Sequence, residues 1–211
     1  MIDLGTSPPS NAYPPIGTDP ATEPRLPLRA VVCPDCWLMQ TEDVVGREDL
    51  FTPDYAYYSS YSSSWLRHAE RYVERMVRDL SLDSSDLVVE IASNDGYLLQ
   101  YVRDAGVRAL GIEPTAGTAA AARERGIETM ERFFGVDVAE ELVSEGVRPR
   151  LMVANNVLAH VPDVNDFVGG FARLLRPDGV ATFEFPHLLV LLRDGLFDTI
   201  YHEHYSYLSL G

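Results

Sequence analysis

After Asp83 the chain alternates short apolar runs with amphipathic stretches, and this alternation constrains the fold more than any other feature. Leu87–Ile91, Ala109–Ile112, Leu151–Ala154 and Val180–Phe185 read as strands. Tyr97–Asp104, the Ala-rich Thr115–Arg125, Val136–Val143 and Phe167–Leu175 read as helices. Strands of four to six apolar residues separated by helices imply βαβ units and a parallel sheet covered on both faces. These are four of the five strands expected by Phe185. Upstream, Leu66, Ala69, Val73, Met76, Val77 and Leu80 recur at a helical period, with Arg and Glu on the opposite face. That helix reads as a linker into the α/β domain.

The opening segment is of another kind. Seven of the 14 prolines fall between Pro8 and Pro27. Proline fixes φ and removes a donor, so neither helix nor central strand suits this stretch. A flexible tail and an extended arm packed on a small domain both fit it. Leu28–Gln40 follows as strand, knuckle, strand, with Cys33 and Cys36 in the knuckle Cys33-Pro34-Asp35-Cys36. The organisation expected is therefore an N-terminal region at 1–54, a Tyr/Ser-rich linker and helix at 55–83, and the α/β domain at 84–211.

Of the 211 residues 46% are hydrophobic, enough for a core, and the formal net charge is −15. Such a surface does not suit a nucleic-acid backbone or an anionic membrane. All 17 basic residues are Arg, so lysine Schiff-base chemistry has no residue to use. Two cysteines make no disulfide framework. No basic, apolar leader is visible and the run Leu188–Leu192 is too short to span a bilayer, so a reducing cytoplasm is the expected compartment.

Three places carry chemistry. At the first, Glu90-Ile91-Ala92-Ser93-Asn94-Asp95-Gly96 ends a strand and opens a helix through small residues, where a ligand can approach the backbone. It is neither the dinucleotide glycine pattern nor a phosphate-binding loop with Gly-Lys-Ser/Thr. The second is Gly111-Ile112-Glu113-Pro114, an acid at the end of the second strand that can take a ribose diol, about twenty positions on from the first turn. The third is Tyr201-His202-Glu203-His204-Tyr205-Ser206-Tyr207. His202 and His204 could share a strand face and bind metal, could be surface groups in a polar loop, or could be acid–base groups, since imidazole titrates near neutrality. A regular strand would set Glu203 opposite His204, so convergence of Tyr201, Glu203 and His204 needs a turn or helical backbone.

The two turns together resemble the class I S-adenosylmethionine-dependent methyltransferases, whose fold is a Rossmann-like α/β sheet. The resemblance implies that Glu90, Ala92, Asn94, Gly96, Asn155 and Asn156 line the cofactor and that Glu113 takes its ribose. With the segments Asp198-to-His204 and Asn155-to-Val161 and the Cys33 knuckle, the whole chain resembles the sugar C-methyltransferases. These methylate C3 of nucleotide-linked 4-keto deoxysugars in antibiotic biosynthesis. In that reading Tyr201, Glu203, His204 and His160 surround the reacting carbon, His204 is the base, Tyr55 and His202 contact the sugar, and the substrate is a nucleotide-linked deoxysugar rather than a nucleic acid or membrane. Cys33 and Cys36 match one of the family's two zinc knuckles, giving a structural zinc two of its four ligands. A redox cysteine pair is the other reading.

The chemistry is consistent with that set. A C4 ketone acidifies the C3 proton, a base near neutral pKa yields an enolate, and the enolate attacks a sulfonium methyl. Two alternatives use the same cofactor turn: a small-molecule O- or N-methyltransferase, and an inactive remnant of the fold. The resemblance also implies a further knuckle before Asp3 and two further strands after Gly211, so the chain reads as part of an enzyme about twice as long. Oligomeric state is not legible.

Overall fold

The structure, a computed structural model, describes residues 1–42, 44–53 and 55–210. In chain order its elements are β1 (Ile2–Ser7), β2 (Leu26–Val32), β3 (Met39–Thr41), α1 (Arg47–Leu50), α2 (Ser63–Leu80), β4 (Leu87–Ile91), α3 (Leu99–Asp104) and β5 (Arg108–Ile112). They continue with α4 (Ala116–Glu124), β6 (Glu128–Met130), α5 (Val136–Ser144), β7 (Leu151–Asn155), α6 (Val164–Leu174), β8 (Val180–Glu184), α7 (Leu188–Asp194) and β9 (Ser206–Tyr207). The chain divides into two units that interleave in sequence: Met1–Thr52, Asn156–Pro162 and Glu184–Gly211 form one, Pro53–Asn155 and Asp163–Phe183 the other.

The larger unit carries the expected parallel sheet, in the order β6-β5-β4-β7-β8 among the described residues. Registers are in parallel phase, with Val89 beside Leu110 on one side and Met152 on the other. All five residues of β4 and of β7 are buried, as a strand covered on both faces must be. Ser62 caps α2 by accepting the Trp65 N–H at 3.3 Å, and the helix ends on Ser81 in the left-handed region at φ 51°. Its apolar stripe buries Ala69 and Val73 against Val88, Tyr97, Leu98 and Ile127.

The other unit is an antiparallel sheet in the order β1-β2-β3-β9. The Pro-rich stretch is therefore an arm rooted by pairing rather than a free tail: Ile2 lies opposite Ala30, Asp3 opposite Arg29, and the Arg29 guanidinium meets Asp3 at 3.1 Å. Ala30, Met39 and Tyr207 form its small core, with Leu188, Leu191 and Ile200 packed on it. Met39–Thr41 pairs with both β2 and β9, which fixes the chain just after His204.

The structure differs from the sequence reading in detail: α1 and α7 are not among its expected helices. The helix expected from Tyr97 starts at Leu99, because Asn94–Leu98 form turns. Three short strands, β1, β6 and β9, have no apolar run to announce them; each exists through the neighbour it pairs with. Among the described residues no helix is long and apolar enough to cross a membrane.

The joint between α5 and α6 gives a test of the packing. Asp163 caps α6, and the Asp166 carboxylate accepts the Val136 N–H at 3.1 Å at the start of α5. Phe134, Phe167 and Phe171 meet edge to face beside it. A methyl group on Gly170 would stand 2.8 Å from a Phe134 ring carbon and 2.9 Å from the Gly135 carbonyl oxygen. Gly170→Ala should therefore destabilise the chain by about 1–3 kcal/mol, the usual cost of overpacking. The urea midpoint checks it, and an unchanged midpoint would mean the two helices part freely.

Candidate active site

In the larger unit, the end of β4 runs into a turn held in unusual backbone. Ala92 has φ 55°, Asn94 φ 50° and Gly96 φ 76°. Left-handed backbone costs an L residue such as Ala about 1–2 kcal/mol, so Ala92 and Asn94 need to be held. Glu113 holds the turn at Asn94 from the end of β5. Its carboxylate accepts the Asn94 N–H at 2.9 Å, the Thr115 N–H at 3.0 Å and the Thr115 hydroxyl at 2.5 Å. Burial pushes the Glu113 carboxyl up, while the Thr115 and Asn94 donors oppose that rise.

Polar groups without partners gather at the same turn. Glu90, wholly buried, has its carboxyl raised well above the ordinary range by burial, an effect Tyr97 opposes and the charges of Glu113 and Asp95 reinforce. Neither Glu90 oxygen, nor Ser93 Oγ, nor Asp95 Oδ1 has a hydrogen-bond partner of normal geometry. At the end of neighbouring β7, Asn155 Nδ2 is in the same state. A buried polar atom without a partner costs about 1–3 kcal/mol, so five together are unlike a site that exists only for packing. Their chemistry, two acids, a hydroxyl and an amide, suits a ligand that brings hydrogen-bond donors, such as an amino acid or a nucleoside.

The Tyr/Ser segment is laced to this turn. The Ser59 N–H donates to Asn94 Oδ1 at 2.8 Å, and Asn94 Nδ2 donates to the Tyr57 carbonyl at 3.1 Å. Arg125 meets the Asp95 carboxylate at 2.8 Å and the Ser60 hydroxyl at 2.9 Å. Asn94 thus spends its amide on the strap and presents backbone to the turn. Tyr55 stands at the start of the strap, half-buried. Sequence reasoning missed Asp95, Thr115, Arg125 and Ser60; only the first two lay beside residues it had singled out.

In the other unit the segment after Thr199 makes the required turn, with the His204 N–H donating to the Tyr201 carbonyl at 3.0 Å. It is pinned from β3, where the Thr41 hydroxyl donates to the His204 carbonyl at 2.7 Å, and by the Tyr205 hydroxyl on the Val45 carbonyl at 2.8 Å. The turn brings Tyr201, His204 and His160 together. The two imidazole centroids are 4.6 Å apart and the Tyr201 hydroxyl is 2.9 Å from His204 Nε2. His204 Nδ1 lies 2.8 Å from the Thr199 carbonyl, and His160 Nδ1 2.9 Å from the Glu203 carbonyl. A carbonyl only accepts, so Nδ1 carries the proton in both rings and Nε2 is the lone pair. His204 Nε2 therefore accepts from Tyr201.

Both rings are neutral. Burial lowers the His204 pKa against the pull of the Thr199 carbonyl. Burial and the neighbouring His204 drive His160 down to about 3. Tyr207 closes the cluster edge-on to His204, its hydroxyl pushed up by burial, and Phe51 stands edge-on to His160. Glu203 gives the cluster its carbonyl, while its carboxylate accepts the Asn11 amide at 2.9 Å. His202 is turned elsewhere, 3.1 Å from the Pro27 carbonyl. Asn156 follows β7 in left-handed backbone at φ 51°, its N–H on the Glu184 carbonyl at 2.7 Å.

The knuckle is formed as expected. The Cys33 N–H donates to the Leu38 carbonyl, and the backbone donors of Cys36 and Asp35 lower the Cys33 thiol. Among the described residues no group of three or more His, Cys, Asp or Glu could hold a metal, so two thiols stand where zinc requires four ligands.

Comparison with known proteins assigns the chain's sequence to a family. A family model described as "Methyltransferase domain" matches residues 65–211, and one described as "Putative zinc binding domain" matches residues 1–51. The chain is 39% identical over 193 residues to the C-methyltransferase NovU of Streptomyces niveus, covering 92% of this chain and 46% of that protein. It is 31% identical over 122 residues to a ubiquinone biosynthesis O-methyltransferase of Rhodopseudomonas palustris, covering 56% of this chain and 47% of that one. The chain thus spans about half the length of the curated relatives it matches. Among solved structures, DesVI of Streptomyces venezuelae aligns at a TM-score of 0.49 and 14% identity, over 61% of this chain and 54% of its own. With its C-terminal 147 residues under a single family model, the chain belongs to the methyltransferase domain family.

Proposed function

We propose that the chain methylates carbon: it transfers the methyl group of S-adenosylmethionine to C3 of a nucleotide-linked 4-keto deoxysugar. The observation that carries this is the neutral His160–His204 pair with Tyr201 on the His204 lone pair. A hydroxyl or amine acceptor needs only a weak base, whereas a carbon beside a ketone needs a base, a donor for the enolate oxygen and exclusion of water together. The C-methyltransferase name of the relative supports carbon as the acceptor.

Both Glu90 oxygens and Asp95 Oδ1, buried at the β4 turn and unfilled, fit a ligand that brings donors, and S-adenosylmethionine carries an ammonium and a sulfonium. Glu90, Asp95 and Asn155 would hold its amino-acid end, Glu113 its ribose, and Ala92, Asn94, Gly96 and Asn156 the backbone contacts. Bound there, the cofactor supplies an electrophilic methyl. His204 Nε2 takes the proton from the sugar carbon. The Tyr201 hydroxyl, bonded to that nitrogen at rest, then accepts from the new imidazolium and donates to the enolate oxygen, so charge is balanced as it forms. His160, whose only N–H is committed to the Glu203 carbonyl, offers a lone pair to a sugar hydroxyl. Tyr55 remains a proposed sugar contact and Cys33 and Cys36 the proposed zinc ligands; His202, expected to contact the sugar, has its Nε2 on the Pro27 carbonyl instead.

Deuterium exchange into the sugar without cofactor tests the reading. A C4 ketone acidifies C3 and C5 alike, so the NMR signal that disappears also names the carbon. No exchange at either would favour the O- or N-methyltransferase reading. His204→Asn should slow exchange about 10²–10⁴-fold, the span of general-base catalysis, with S-adenosylhomocysteine affinity unchanged by calorimetry; undiminished exchange would remove it as base. The lowered His204 pKa sets the sign of the pH dependence: the lone pair persists to lower pH, so the acid limb of the exchange rate should fall below the ordinary imidazole value of about 6.5. A limb at or above that value would contradict a buried base. Glu113→Ala should weaken S-adenosylhomocysteine binding by about 1–3 kcal/mol, the cost of leaving its hydrogen-bond partners unpaired, and equal affinity would place Glu113 outside the site.

A further inference from the structure

A contact from the Pro-rich arm reaches the cluster. From Pro8 to Pro27 the segment touches β2 at its root, and between two proline pairs Asn11 stands in left-handed backbone at φ 56°. Its Nδ2 lies 2.9 Å from Glu203 Oε1, and the Tyr13 hydroxyl reaches its Oδ1 at 3.5 Å. A carboxylate accepts only, so the amide end that faces it is the NH₂ group. Glu203 is 1% exposed. A carboxylate so enclosed needs its donors fixed, because a half-held buried acid is both costly and free to turn.

We propose that Asn11 is a positioning residue: the Pro-rich arm delivers its amide to the Glu203 carboxylate and so sets the orientation of the turn that carries His204. The inference rests on the reading of Tyr201, Glu203 and His204 as the proton-abstracting site. Prolines 8, 9, 14 and 15 limit the conformations the arm must give up to place the amide, which makes the device pre-formed. Asn is among the few residues that combine a side-chain donor with tolerance for positive φ. Glu203 in turn carries the carbonyl that holds the His160 N–H, so a carboxylate that swung would disturb both imidazoles.

Two variants separate side chain from backbone. Asn11→Gly keeps the positive φ and deletes the donor. Asn11→Asp keeps the shape and the tolerance for this backbone but faces an acid with an acid. The probe is a thymidine-diphosphate-linked 4-keto-6-deoxyhexose in D₂O without cofactor, with exchange followed by NMR. Asn11→Gly should lower the exchange rate at saturating sugar roughly 10- to 100-fold, the range for a lost hydrogen bond to a charged group, with little change in the half-saturating concentration. Asn11→Asp should be slower than Asn11→Gly at pH 8 and gain on it as pH falls, because facing carboxyls share a proton that restores the donor. The titratable groups of the cluster, namely His160, His204, Tyr201 and Tyr207, are common to both variants, so their titration cancels in the ratio of the two. A ratio independent of pH, or an Asn11→Gly rate equal to that of the unsubstituted chain, overturns the proposal. Glu203→Gln sorts the failures: if it is slow while Asn11→Gly is not, only the positioning role falls. If Glu203→Gln exchanges normally, the carboxylate orients nothing and the positioning proposal falls while the His204 reading stands; if the unsubstituted chain does not exchange at all, the reading of the site falls and the proposal with it.

Discussion

Burial of the two histidine rings is the constraint on which the rest of the candidate chemistry depends. An imidazole that has lost its water stays neutral, and only a neutral ring can accept a proton. Two charged rings with centroids 4.6 Å apart would repel, so neutrality also lets the pair exist. Given neutrality, the carbonyls of Thr199 and Glu203 decide which nitrogen keeps its proton, and Nε2 is left as the basic atom of each ring. Both carbonyls belong to the segment that includes His204. The turn is therefore at once the source of one base and the clamp on the tautomers of both, and the Thr41 hydroxyl on the His204 carbonyl holds it to β3.

The turn after β4 shows the complementary device. There the backbone is strained at Ala92 and Asn94, and a carboxylate from the next strand holds it. Glu113 uses about three of the roughly four lone-pair directions of a carboxylate on Asn94 and Thr115. A ribose hydroxyl would complete it. One acid then serves both the shape of the turn and its ligand, and removing it should disturb the two together.

The parallel sheet was legible because β4 and β7 are buried on both faces and so must be apolar throughout; Leu87–Ile91 and Leu151–Ala154 say this without any long-range knowledge. The need for a turn at Tyr201–His204 was legible too, since alternation along a strand forbids the convergence the chemistry requires. What the sequence hides is pairing at a distance. Asn11 and Glu203 are separated by 192 positions, and neither residue type nor spacing announces the contact. Strand β6, three residues long and begun by Glu128, exists because β5 offers it an edge. The tautomers of His160 and His204 depend on two backbone carbonyls, which every residue has, so no sequence pattern could single them out.

By itself a net charge of −15 favours the cationic form of every imidazole, since a field of carboxylates attracts a proton. The two rings of the cluster go the other way, and the reason is range. At physiological salt, exposed charges more than about 8 Å away are largely screened, whereas loss of water acts on the ring itself. The acid beside the cluster, Glu203, is bound to a neutral amide from the arm, and its carbonyl, not its carboxylate, is what touches His160. An acidic protein keeps a neutral, basic site by turning the Glu203 carboxylate toward an amide and leaving the imidazoles to face carbonyls, a hydroxyl and aromatic edges.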